Sequence, residues 1–226
     1  VVTRWGDDDG AVDAAVDAGP DGLAPPPFPR QVCPGDPDCA DQGDGVLYVG
    51  AAVVDVTPQD LKEGPSFVDA NGDAIYNEHD GDTFTDTNGN GELDAVWIAG
   101  FDMARPATGV HDPLEGRVVA LRQNETTIVW IAVDFIGFFM DYVDEVRSRM
   151  DPTVEASVDL LLVSATHTHQ APDTVGMWGA SLTETGLDLD YLDGVYDQLA
   201  VGVEDAVDAL EESHVTYGAI QVEDPD

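Results

Sequence analysis

The residues in this chain best suited to metal or proton chemistry are the two histidines of Thr166-His167-Thr168-His169. Imidazoles one residue apart project to the same side of an extended strand, and neutral imidazole nitrogen is a ligand that zinc favours. The run from Val158 to Ala165 ahead of them is apolar, and Ala171-Pro172 closes the segment. That pattern predicts a buried strand that delivers both histidines at its exit. Thr166 and Thr168 then face the opposite side, where they can hydrogen-bond. The competing reading is two ordinary histidines at a strand end, because a pair at this spacing is a short signal.

The elements that position this pair lie in the later four fifths of the chain. Its 226 residues suffice for one large domain or a domain plus a tail. The formal net charge of -38, with 8 basic against 46 acidic residues, repels nucleic acid and anionic membrane and excludes both as charge-driven partners. The same charge suits solubility, high salt or divalent cations. No run of about 18 apolar residues exists, so no membrane-spanning helix is expected. The chain opens on Val1, shows no signal peptide and closes directly after a strand-like run. It is therefore expected to be a piece of something longer.

Residues 1–45 carry ten aspartates, Ala-Val-Asp repeats and Pro25-Pro26-Pro27. They read as a disordered, acidic, partly proline-stiffened tether. Such a tether ahead of a globular part is expected of an exported protein, secreted or held at a cell surface. Cys33 and Cys39 close a short polar loop without histidine, which reads as a disulfide rather than a metal site, with two free thiols as the alternative.

The folded part is expected over 46–226, with mixed β-sheets and flanking helices in an α/β arrangement. Val46 to Val56, Arg117 to Gln123 and Thr126 to Asp134 read as strands, the last two joined as a hairpin around Asn124-Glu125. Asp134, at the end of an apolar run, requires a partner; capping the next helix or orienting a histidine would each supply one. Asp141 to Met150 reads as a short helix with Asp141 as its N-cap. Asp188 to Glu212 reads as a long amphipathic helix, with Leu192, Val195, Leu199, Val203, Ala206 and Leu210 on one stripe. His214 to Val222 reads as a final strand, with His214 at the surface, and His79 reads as incidental.

Between the first two strands lies an acidic, glycine- and asparagine-rich insertion with two calcium-type patterns. Asp69, Asn71 and Asp73 form one; Asp86, Asn88, Asn90 and Asp94 form the other. Alternating oxygen ligands with glycine at the sharp turn suit a hard Ca2+ ion. Trp97 stands where an EF-hand has its bidentate glutamate, so the expectation is a calcium-stapled loop and not an EF-hand. A solvated acidic loop is the alternative.

In chain order, Ala51-Ala52-Val53-Val54-Asp55-Val56-Thr57-Pro58, Gly109-Val110-His111-Asp112-Pro113-Leu114 through Arg117, the Asp134 strand and Ala165-Thr166-His167-Thr168-His169 resemble the N-terminal part of the neutral ceramidase family. The acidic insertion resembles bacterial members. The resemblance covers about residues 46 to 222. It implies a zinc-dependent amidase that cleaves a lipid amide, ceramide, into sphingosine and fatty acid. It further implies His111 as one Zn2+ ligand and either His167 or His169 as another, the remaining histidine holding or relaying a proton. His169 and Arg117 are thereby candidate catalytic residues. Arg105 and Arg117 are candidates for stabilising an oxyanion or fixing a loop, or simply for pairing with carboxylates. The sequence departs from the family in two ways. Gln170-Ala171-Pro172 stands where the family reads Ser-Gly-Pro, and the family's later zinc-binding glutamate and tyrosine and its active-site serine stretch have no counterpart here. Two other readings compete: a calcium-stabilised, non-catalytic surface or adhesion domain, and a zinc hydrolase of another amide or ester.

Overall fold

The structure, a computed structural model, describes residues 46–214 and 216. The tether and the Cys33–Cys39 pairing lie outside the described residues, as does most of the expected last strand.

Alternating apolar and polar positions build the sheet. Strand β1 (Leu47–Asp55) pairs antiparallel with β2 (Glu115–Gln123), and β2 with β3 (Thr126–Val133). The β2–β3 hairpin turns at Asn124, whose φ of 55° is a left-handed conformation that asparagine tolerates. A crossover through helix α1 (Met140–Arg149) and the single-turn helix α2 (Pro152–Glu155) returns the chain to β4 (Leu160–Ala165), parallel to β3. Helix α3 (Leu189–Asp208) leads to the short β5 (Glu211–Ser213), antiparallel to β1. The order β4-β3-β2-β1-β5 makes a mixed sheet, as expected for the α/β class.

Helix α3 covers one face of the sheet. The stripe Leu192, Val195, Leu199, Val203 is buried against Val54, Val118, Ala120, Ile131 and Val133. Gly50 allows the closest approach: a Cβ there would lie 2.0 Å from the Ala206 carbonyl oxygen. The opposite face is open among the described residues, with Val53 62% and Trp130 54% exposed. Arg149 ties α1 to α3 through Asp193 and Asp197, at 2.6 and 2.8 Å.

Several local expectations need correction. The strand before the histidines is an outer strand of the described sheet, and alternation leaves Leu160 and Leu162 exposed. It stops at Ala165. His167 has φ 61°, a left-handed turn that takes the pair off the strand, so strand alternation no longer relates the two rings. Asp141 does not cap α1; Phe139 occupies the cap without a side-chain bond, and Asp141 sits in the first turn, where its charge favours the helix dipole. Asp188 does cap α3, accepting from the Tyr191 amide at 3.1 Å.

Candidate functional site

Backbone pairing between distant segments assembles the site. Ala107 N–H donates to the Val96 carbonyl at 2.8 Å, Ala99 N–H to Ala171 at 3.0 Å, and Asp173 N–H to Trp97 at 2.8 Å. These bonds draw 96–99, 105–107 and 171–173 together beside the ends of β2 and β3. Asp173 is buried and holds the turn after the histidines, accepting from the amides of Val175, Gly176 and Trp178.

The result is a cleft of about 590 Å³. His111, Asp112, Arg117 and Asp134 line it from one side, and Thr168, Gln170 and Pro172 from the His-Thr-His segment. Leu61, Val96, Ile98, Ala107 and Leu114 give it an apolar floor. The fold thus brings His111 to the same cleft as the segment that carries the histidine pair. Thr168 and Gln170 line the cleft, whereas His167, which is exposed, and the half-buried His169 do not.

The three imidazoles differ in their surroundings. His111 is 96% exposed, and its Nδ1 lies 2.7 Å from Asp112 Oδ2. His167 Nδ1 lies 2.7 Å from the Ile136 carbonyl oxygen. Both partners only accept, so in each ring Nδ1 carries the proton and Nε2 the lone pair. His169 is the reverse. Its Nδ1 is buried with no hydrogen-bond partner among the described residues, and a Cβ on Gly100, at φ 85°, would come within 2.4 Å of it. A proton on that nitrogen would be an unsatisfied buried donor, so the stable neutral form keeps it on Nε2. The rings of His167 and His169 are 5.1 Å apart, and Phe101 meets His169 edge-on at 4.7 Å.

Two of the three charged candidates prove to be scaffolding. Arg105 donates to the Gly100 carbonyl at 2.9 Å and the His169 carbonyl at 3.4 Å, so it fixes the loop over His169 instead of reaching a substrate. Asp134 neither caps a helix nor orients a histidine. Its carboxylate accepts from Arg117 at 3.0 and 3.2 Å and from the Glu115 amide at 3.1 Å. Arg117 also pairs with Glu115 at 2.8 Å, and it stays half exposed on the cleft wall.

The two acidic patterns share one skeleton, offset by 17 residues. Asp69 accepts from the amides of Gly72 and Ala74, and Asp86 from those of Gly89 and Gly91. Asp73 accepts from Ile75, and Asn90 from Glu92. Sequence reasoning missed Glu63, which is buried and anchors the second loop by accepting from Thr87 N–H and Oγ1 and from Asp94 N–H. Its isolation in sequence, 31 residues before Asp94, left no local signal. No three His, Cys, Asp or Glu side chains among the described residues form a group that could hold a metal ion.

No family model and no curated protein sequence matches this chain. Among solved structures, the chain is similar to one described as a ceramidase complexed with C2, with TM-score 0.51 and 15% identity over 74% of this chain and 22% of that one. It is also similar to a neutral ceramidase from Pseudomonas aeruginosa, with TM-score 0.49 and 13% identity over the same shares. The chain therefore spans about a fifth of the length of these ceramidases. At this identity the first likeness is one of fold: the described α/β unit has the fold of part of a ceramidase.

Proposed function

We propose that this chain, built on the fold of part of a ceramidase, contributes to the active site of a zinc-dependent hydrolase that cleaves a lipid amide of the N-acyl sphingosine type. The observation that carries the proposal is the cleft shared by His111 and the His-Thr-His segment. Its apolar floor suits an acyl or alkyl chain, and its polar wall suits an amide head.

The donor set present fits part of a zinc site. His111 and His167 would each offer Nε2 with Nδ1 already anchored, on Asp112 and on the Ile136 carbonyl, as metal-binding histidines commonly do. A zinc ion would supply a water of pKa near 7 and polarise the carbonyl. The remaining roles belong to the chain's own side chains. His169, protonated at Nε2, would hold or pass a proton. Arg117, on the cleft wall and partly offset by Asp134 and Glu115, would stabilise developing negative charge. This reading favours His167 as ligand and His169 as proton carrier, because a ligating His169 would require a proton on its buried, unpartnered Nδ1.

We also propose that the loops begun by Asp69 and Asp86 bind Ca2+; their repeated oxygen-rich skeleton supports it. The test of the main reading is hydrolysis of an N-acyl sphingosine by the protein that carries this chain. Activity should be lost with chelator, restored by zinc, and lost in His111→Ala. An active His111→Ala protein would reject the site.

A further inference from the structure

Thr57 and Pro58 separate the cleft from a second groove of about 650 Å³, between the 55–62 segment and the N-terminal half of α3. We propose that this groove binds a long-chain alkylammonium ion, its ammonium at the acidic rim and its chain along the floor.

The floor is formed by Val56, Pro58, Tyr191, Val195 and Gly194. Gly194 is the informative residue. Glycine in a helix interior is the least favourable choice after proline, so a packing reason is expected. Gly202, in the same helix, has one: its Cβ would meet Val118 at 3.0 Å and Val54 at 3.1 Å. At Gly194 a Cβ would meet nothing within 4 Å. Gly194 is exposed and lines the groove, so no side chain of the described residues stands over that part of the floor.

The rim fixes the sign of the occupant. Asp55, Asp60, Asp188 and Asp190 line the groove against one cation, Lys62, which is paired to Asp188 at 2.8 Å. The Tyr191 hydroxyl is committed to the Val56 carbonyl. The groove therefore presents three uncompensated carboxylates over an apolar floor, a surface complementary to a cation with an apolar body. A second copy, at net charge -38, would be repelled. The groove's volume is that of a small-molecule site, which favours an amphiphilic amine over a basic protein. The inference rests on the proposed hydrolysis only for the origin of the amine: cleaving an N-acyl long-chain amine releases this kind of ion beside the groove.

Calorimetric titration of the full chain with dodecylammonium, below its micelle concentration, tests the proposal, with dodecanol, dodecanoate and a basic amphipathic peptide as comparisons. The expected result is saturable one-to-one binding of the ammonium alone. Gly194→Leu should weaken it at least tenfold while melting no lower than the parent, since leucine favours helix and fills empty space. Asp60→Asn with Asp190→Asn, both at exposed positions, should weaken it as much. His111→Ala should bind normally, which separates this site from the hydrolytic one. Absent or many-to-one binding, equal affinity for dodecanol, preference for the peptide, or unchanged affinity in the Gly194→Leu and double-Asn variants would overturn the proposal.

Discussion

Nδ1 of His167 donates to the Ile136 carbonyl oxygen at 2.7 Å, whereas Nδ1 of His169, two residues on, is buried without a partner. Neighbouring imidazoles in one motif therefore hold opposite tautomers. Nitrogen-15 spectra of the histidine side chains are predicted to show Nδ1–H for His167 and Nε2–H for His169 at neutral pH. The same tautomer in both rings would remove the basis for assigning them different roles.

Gly100 is predicted to be intolerant of any side chain. Its φ of 85° strains an L-residue, and a Cβ would sit 2.4 Å from His169 Nδ1. Gly100→Ala should cost roughly 1–3 kcal/mol and displace the His169 ring. Thermal melts and the His169 ring resonances check this; a wild-type melt with unshifted resonances would argue against the packing described.

Glu63 gives a pH dependence with a definite sign. Hydrogen bonds from the Thr87 hydroxyl, then its amide, hold the Glu63 carboxyl below its usual 4.5. A carboxyl depressed in the folded state contributes stability that is present above 4.5 and lost as pH falls through the lower folded value. Hydrogen exchange of the 86–94 amides is predicted to accelerate as pH drops below 4.5, beyond the intrinsic pH effect. In Glu63→Gln that additional acceleration should vanish. An unchanged profile in the variant would assign the acid sensitivity elsewhere.

Calcium is predicted to raise the melting temperature and order 69–94, because carboxylates gathered without a cation repel one another. Asp69→Asn and Asp86→Asn should each remove part of that shift. No heat of binding on titration and no change of melt with chelator would leave both loops as solvated acidic turns.

The elements were legible in the sequence where local pattern and tertiary packing agree. The β2–β3 hairpin follows from two β-rich runs around Asn124-Glu125, and α3 from its apolar stripe, although the helix ends at Asp208 and not Glu212, with Glu211–Ser213 forming β5. The path after Ala165 was not legible. Nothing in Thr166-His167-Thr168 announces a left-handed φ at a histidine, which accompanies backbone bonds from Thr166 to Val133, the last residue of β3, and from His167 to Phe135 in the bend after it. Arg105 was read as a possible oxyanion contact because its charge is rare here; only the fold shows the Gly100 and His169 carbonyls that absorb it. The partnership of His111 with Asp112 was visible as adjacent residues, yet its meaning depends on the cleft that both enter.

The most direct measurement is release of long-chain base from an N-acyl sphingosine by the zinc-loaded protein that carries this chain, comparing the parent with His111→Ala and His167→Ala. The account predicts chelator-sensitive hydrolysis in the parent and a loss of at least a hundredfold in each variant, with zinc affinity falling in both. Hydrolysis undiminished in either variant, or a parent that binds zinc and leaves the amide intact, would contradict it.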